Sequence, residues 1–283
     1  MIKTSLIQLP SIQLNIVQAG PDESPVVILL HGFLDAWFGW KHQIKALAEK
    51  GYRVLVPDQR GYNLSEKPSS IDAYSLPLIA NDVIELANYF QVQTFFLAGH
   101  DFGGMVAWSV ADLYPERIKK LIILSAPHLK ASLEYNKTHW QQKFKSWYIL
   151  FFQLKSVPEF LLKRFNYALL MRNMPASLKK KEKAQYLEAW RQAGALKAML
   201  HWYKALVGDL RNKRLKGSTI SPPTLILWGN KDKYLQTALA GLSLKQCLSG
   251  QVYIFEQSGH WLMQEESTAV SQRMHQFFGE SNM

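Results

Sequence analysis

Six short, mostly apolar runs limit what this chain can fold into more than any other feature of it. They lie at residues 26–30, 52–56, 93–98, 121–124, 224–228 and 252–255. The first five end at small or turn-forming residues: His31-Gly32, Pro57-Asp58, Gly99, Ser125-Ala126-Pro127 and Gly229. Runs this short, rich in Val, Ile and Phe, read as strands buried on both faces. Helical patterns separate them, at 40–49, 76–90, 103–113, 237–247 and 267–278. Strands alternating with helices predict an α/β fold, a mostly parallel sheet flanked by helices. In such a sheet the chemistry collects at the carboxyl ends of the strands.

The alternation breaks between about residues 128 and 221, where the pattern is helical, aromatic-rich and without a strand-like run. A helical insertion is expected there, with the return to the sheet at Pro222-Pro223. The insertion also holds the charge. Of a formal net +11, residues 128–217 carry 19 Lys/Arg against 5 Asp/Glu, a net of +14, and the remainder carries −3. A solvated surface accounts for this most simply, with an anionic membrane, an acidic substrate or nucleic acid as sharper alternatives. No nucleic-acid-binding motif supports the last. The run 179–183 reads as the exposed start of a helix. The single cysteine, Cys247, allows no internal disulfide and fits a reducing compartment. Residues 1–20 alternate apolar and polar without the apolar stretch of a signal peptide, and no stretch is long enough to span a bilayer. A soluble, cytoplasmic protein is expected.

Gly99-His100-Asp101-Phe102-Gly103-Gly104 follows the third strand and opens a helix. It has the form of a nucleophile elbow, G-x-S-x-G, with aspartate in place of serine. The glycines let strand and helix pass closely while the central side chain is thrust outward. The aspartate narrows the chemistry. A carboxylate that attacks a saturated carbon leaves an ester, which water can cleave, whereas a serine would leave an inert ether. Opening of an epoxide or expulsion of a halide is therefore implied. The plainer alternative is that Asp101 caps the following helix. His260, in Ser258-Gly259-His260-Trp261, lies just past the sixth strand, and Asp232 just past the fifth. The chain order Asp101, Asp232, His260 is that of nucleophile, acid and histidine in this kind of site. The turn at His31-Gly32-Phe33 is placed to supply one oxyanion-hole amide, from Phe33, with Phe102 supplying the other.

These residues resemble the epoxide hydrolase branch of the α/β-hydrolase superfamily. His31-Gly32-Phe33 followed by Trp37 to Gln43 resembles its HGF…W..W..Q stretch. Residues 57–62, with Ser65 and Lys67-Pro68, resemble P-D-x-R-G-Y-x-x-S-x-K-P, and residues 99–104 resemble its G-H-D-[WF]-G-G elbow. The resemblance covers nearly the whole chain and is weakest at 170–215. It implies an α/β-hydrolase core of residues 1–127 and 219–283 and an inserted helical cap of residues 128–218. It also implies two cap tyrosines that hydrogen-bond the epoxide oxygen. Tyr148, four before Phe152-Gln153, and Tyr203, in His201-Trp202-Tyr203-Lys204, occupy those places. The substrate implied is a small lipophilic epoxide, with no metal or organic cofactor. His31, Trp37, Trp202 and Trp261 are the candidate substrate-binding residues.

Three departures stand out. Leu34 replaces the usual proline, typically cis, that sets the oxyanion turn. His201 replaces the usual asparagine, and Lys155 stands in a segment that is usually more acidic or proline-bearing. Dehalogenases with the same triad are the nearest rival, but they usually place a halide-binding tryptophan after the nucleophile, where this chain has Phe102. Fluoroacetate-type relatives place arginines where this chain has Met105 and Trp108. A non-catalytic binding protein on the same fold is a further reading, although such proteins commonly lose a triad member. The apolar stretches 147–154 and 160–170, flanked by Lys155, Lys163, Arg164 and Arg172, fit either an interfacial membrane surface or the roof of a lipophilic pocket.

Overall fold

The computed structural model describes residues 2–145, 147–215 and 217–280. In chain order the elements are β1 (Lys3–Gln8), β2 (Gln13–Ala19), β3 (Val26–Leu30), α1 (Lys41–Glu49), β4 (Arg53–Pro57), α2 (Leu76–Tyr89), β5 (Phe95–His100), α3 (Phe102–Leu113) and β6 (Ile118–Leu124). A purely helical stretch follows: α4 (Leu129–Thr138), α5 (Trp140–Lys145), α6 (Trp147–Phe151), α7 (Val157–Arg164), α8 (Ala168–Met171), α9 (Lys180–Arg191) and α10 (Ala195–Arg211). The chain then returns through β7 (Thr224–Gly229), α11 (Ala238–Leu244), β8 (Gly250–Phe255), α12 (Leu262–Glu265) and α13 (Ser267–Gly279).

The eight strands form one sheet in the order β1-β2-β4-β3-β5-β6-β7-β8. From β4 to β8 neighbouring strands are parallel, while β2 runs antiparallel to both β1 and β4. The six apolar runs are thus six strands of this sheet. The β1–β2 hairpin was not expected, although the period-2 alternation of the first twenty residues is the signature of a half-buried strand pair. The alternation within the strands sorts the core into two layers. Ile28, Leu30, Leu55, Leu97, Ile123 and Ile226 face α2, α3 and α11. Val27, Leu29, Val54, Val56, Ile122 and Leu227 face α1, α12 and α13. Burying both faces is what permits uninterrupted apolar strands.

The chain leaves β3 toward β4 on one side and resumes at β5 on the other. The carboxyl ends of β3 and β5 therefore flank the point where strand order reverses, and a crevice opens at such a point. The helical stretch between β6 and β7 packs over this end and shares the α2/α3 core layer through Tyr186, Trp190, Leu196 and Trp202. Its α10 also reaches down into the core, where Asp209 accepts bonds from the Ser75 hydroxyl and the Leu76 N–H at the start of α2. No helix of the described residues is long and apolar enough to cross a membrane.

Candidate active site

Asp101 stands between β5 and α3 with φ 51° and ψ −120°, a conformation that an L-residue adopts only under constraint. The constraint is close packing. A Cβ on Gly103 would lie 2.2 Å from the Leu30 carbonyl oxygen, and one on Gly32 would lie 2.6 Å from the Asp101 Cβ. Larger residues at either place would push strand, helix and oxyanion turn apart. The Asp101 carboxylate makes no capping bond to α3, which removes the alternative that it merely caps the helix. Instead its Oδ1 accepts the Phe33 N–H at 2.9 Å. Phe102 opens α3 directly behind it, so its N–H is one of the first-turn donors that the helix itself leaves free.

Asp101 Oδ2 lies 3.4 Å from His260 Nε2, and His260 Nδ1 lies 2.7 Å from Asp232 Oδ2. Asp232 Oδ1 accepts the N–H groups of Tyr234 and Leu235, which fix the carboxylate. From the other side, His100 Nε2 meets the His260 carbonyl oxygen at 2.8 Å. Because a carbonyl only accepts, His100 carries its proton on Nε2. Burial and the His260 charge lower the His100 pKa to about 4, so it stays neutral. Burial disfavours charge on both Asp101 and His260, but their mutual attraction outweighs it. It holds the Asp101 carboxyl below its ordinary range, while Asp232 first and Asp101 after it lift His260 well above its own. The resting pair is carboxylate and imidazolium.

Asp101 and His260 face a cavity of about 520 Å³, also lined by Tyr148, Phe152, Tyr203 and Trp261. Tyr148 and Tyr203 meet edge to face with ring centroids 5.8 Å apart. Burial, and after it neighbouring charge that includes Asp101, raises both phenols far above the ordinary tyrosine value. They therefore remain protonated, and both line the cavity.

The remaining candidates separate. Trp261 lines the cavity, with its indole N–H given to the Asn173 carbonyl. His31, Trp37 and Trp202 do not line it, which corrects their expected place in substrate binding. His31 is fully buried beneath the oxyanion turn. Its Nδ1 meets the Gly32 carbonyl, its Nε2 accepts the Gln59 N–H, and burial lowers its pKa to about 4. The Trp37 N–H is bonded to Asp58, a buried hub that also takes Asn15 and Asn63. Trp202 donates to the Arg60 carbonyl and packs against Tyr62 and Phe102. The 57–62 motif is thus scaffold: Gln59 holds His31, and Arg60 pairs with Asp82 at 2.6 Å inside the protein.

Two features of the site escaped sequence reading. Tyr234 stacks edge-on against His260 with centroids 5.0 Å apart and lines the cavity; its closeness to Asp232 past a strand end was the available signal. The other is the turn at Leu34. In place of the proline-set turn, Leu34 takes φ 66° and is 4% exposed, with no cis peptide among the described residues. The turn is clamped from α9. Trp190 Nε1 donates to the Leu34 carbonyl at 2.8 Å, and the Tyr186 hydroxyl donates to Asp35 Oδ1 at 3.0 Å. The Phe33 amide therefore sits between a strand end and a helix of the inserted segment.

A family model described as alpha/beta hydrolase fold matches residues 25–267. The AB hydrolase superfamily protein YfhM of Bacillus subtilis (strain 168) is 38% identical over 277 residues, covering 96% of each chain. Epoxide hydrolase 1 of Caenorhabditis elegans is 31% identical over 284 residues, covering 97% of this chain and 70% of its own. Among solved structures, the Bacillus megaterium epoxide hydrolase in complex with an inhibitor aligns with a TM-score of 0.89 at 25% identity, covering 98% of this chain and all of that one. An epoxide hydrolase from hot-environment metagenomes aligns at 0.88 and 28% identity, covering 99% of this chain and all of the other. By its sheet, its elbow and these relatives, the chain belongs to the α/β-hydrolase superfamily, in its epoxide hydrolase-like branch.

Proposed function

We propose that the protein hydrolyses small lipophilic epoxides to vicinal diols through a covalent ester on Asp101, with residues 128–218 acting as the cap. The observation that carries this reading is the convergence of Asp101, Tyr148, Tyr203 and His260 on one mostly apolar cavity. Asp101 Oδ2, the oxygen not held by Phe33, attacks an epoxide carbon. The C–O bond breaks, and the developing alkoxide takes a proton from Tyr148 or Tyr203. An alkoxide is more basic than even these raised phenols, so the transfer runs downhill.

Ester formation removes the negative charge beside His260 Nε2. Much of what held the imidazolium proton is then gone, and the proton passes through water to the phenolate. Neutral His260, oriented by Asp232, next takes a proton from water. The hydroxide adds to the ester carbonyl carbon, whose oxygen sits against the Phe33 and Phe102 amides. Collapse releases the diol oxygen, which collects the carboxyl proton, and restores the carboxylate–imidazolium pair. The dehalogenase reading is weaker here. Phe102 offers no side-chain N–H, and the nearby indoles of Trp108, Trp202 and Trp261 are committed to backbone carbonyls.

Product analysis on epoxides and haloalkanes, with wild type and Asp101→Ala in parallel, tests the proposal. Diol from epoxides, absent in the variant, is expected. Single turnover in ¹⁸O-water should place the label in Asp101 and leave the first diol unlabelled. Halide release without diol would move the protein to the dehalogenases.

A further inference from the structure

Helices α6 to α8 and their connections are apolar on two opposed sides. Inward, Tyr148, Phe152, Leu162 and Leu170 line the cavity. Outward, Trp147, Leu150, Leu154, Phe160, Phe165 and Leu169 are exposed, with Leu150 at 75% and Phe160 at 61%. The protein core does not require this second side. A short helix that is apolar all round belongs inside a protein or against lipid. An exposed apolar surface of this density marks an interaction site.

Two observations identify its occupant. The first is charge: the helical segment carries a net +14 while the rest of the chain is net negative, and Lys155, Arg164 and Arg172 border these same residues, beside a Lys163–Glu159 ion pair. Tryptophan, phenylalanine and leucine rimmed by lysine and arginine is the composition of a surface that rests in a lipid headgroup layer. A second copy of the chain would instead bring two strongly cationic faces together, which repel. Nucleic acid would satisfy the charge but leave the leucines and phenylalanines exposed. The second observation is position. Trp147 and Leu169 are both exposed on this surface and part of the cavity wall, so the cavity opens within the patch.

We propose that the outer face of α6–α8 docks on anionic lipid bilayers, with its apolar side chains at the acyl boundary and its basic rim among the headgroups. Docked this way, the cavity mouth lies against the phase in which a lipophilic substrate is concentrated. The docking itself is read without turnover, so it stands or falls separately from the epoxide chemistry.

The test is cosedimentation of the whole protein with phosphatidylcholine vesicles, with and without phosphatidylglycerol. Binding to the anionic vesicles is expected to exceed binding to the neutral ones by about tenfold or more at low salt and to weaken as salt is added. A Leu150→Asp/Phe160→Asp variant, checked for an unchanged circular dichroism spectrum and melting temperature, should lose about tenfold or more of that binding. Neither residue lines the cavity or touches the triad. Three results would each overturn the proposal. One is no sedimentation with anionic vesicles. Another is undiminished binding by the double variant, which would leave charge alone as the cause. The third is a lipid-free dimer that the double variant converts to monomer, which would make the face a self-interface.

Discussion

Replacing Leu34 by proline, the residue that the family resemblance leads one to expect there, tests the account of the turn that carries the Phe33 amide. Leu34 sits at φ 66°, and proline fixes φ near −65°, so the backbone must rotate by about 130°. Strain left in a turn that cannot relax fully costs roughly 1–3 kcal/mol. The rotation takes the Leu34 carbonyl from the Trp190 N–H, and a buried donor left unpaired costs roughly 1–3 kcal/mol. Lost leucine packing at this 4% exposed site adds about 1 kcal/mol. The sum is roughly 3–7 kcal/mol, a fall in melting temperature on the order of 10–20 °C. The same rotation carries the Phe33 amide away from Asp101, and removal of one oxyanion donor lowers kcat roughly 10²–10³-fold. Leu34→Gly is the control. Glycine accepts the left-handed conformation and keeps the carbonyl bond, so it loses packing, about 2–3 kcal/mol, but retains kcat within severalfold. Thermal unfolding and steady-state diol formation read both variants. A proline variant with wild-type melting and turnover, or a glycine variant as inactive as the proline one, would refute the argument.

Other outcomes follow from the same geometry. His260→Gln should form the ester but not cleave it, so intact-protein mass spectrometry should find substrate bound to Asp101; a variant that never becomes labelled would remove His260 from the second step. Tyr148→Phe and Tyr203→Phe should each slow alkylation about 10-fold or more, and the double variant about 10³-fold or more, in rapid-quench measurements. Alkylation needs only the carboxylate and tolerates imidazolium, so its rate should stay flat on acidification until pH nears the lowered Asp101 value. Ester cleavage needs neutral His260 and should fall at a higher pH; parallel acid limbs for both steps would contradict the charge argument. The pair also stabilises the fold in a defined window. The Asp101 contribution is present above its unfolded value and is lost as pH falls through the lowered folded one. The His260 contribution is present below its unfolded value and is lost as pH rises through the raised folded one. Asp101→Asn should therefore flatten the acid flank of a melting-temperature profile and weaken the alkaline flank only in part, because Asp232 still holds His260.

The strands, and the meeting of Asp101, Asp232 and His260, were legible because they obey position: each of the three residues lies in the loop just past the carboxyl end of a strand, after β5, β7 and β8. The β1–β2 hairpin is legible in principle from the alternation of residues 1–20, but no Asn-Gly or Asp-Gly pair marks its turn. Tyr148 and Tyr203 are ordinary aromatic residues of amphipathic helices by pattern, and only the family resemblance singled them out. His31, Trp37 and Trp202 were misplaced for the opposite reason. They belong to recognisable motifs, yet those motifs serve buried hydrogen-bond hubs around Asp58 and Arg60, and no local pattern tells a hub from a pocket wall. The left-handed Leu34 could not be read at all, because leucine gives no local signal for positive φ. Its conformation is imposed by Trp190 and Tyr186, some 150 residues away in sequence.

That clamp works as an interlock in the order of assembly. In a chain whose sheet has formed but whose α9 has not yet seated, the Leu34 carbonyl lacks its Trp190 donor and Asp35 keeps only the Ala36 N–H, so the turn that carries the Phe33 amide is less firmly held. On the proposed mechanism, such a half-built molecule exposes Asp101 to a reactive electrophile without the Phe33 donor that would help to clear the resulting ester. Seating of α9 arms the second step. It also restricts how substrate enters, because swinging the whole inserted segment aside would disarm the site each time. α9 and α10, anchored at Leu34, Asp35, Arg60 and Ser75, form the fixed side of the cavity mouth.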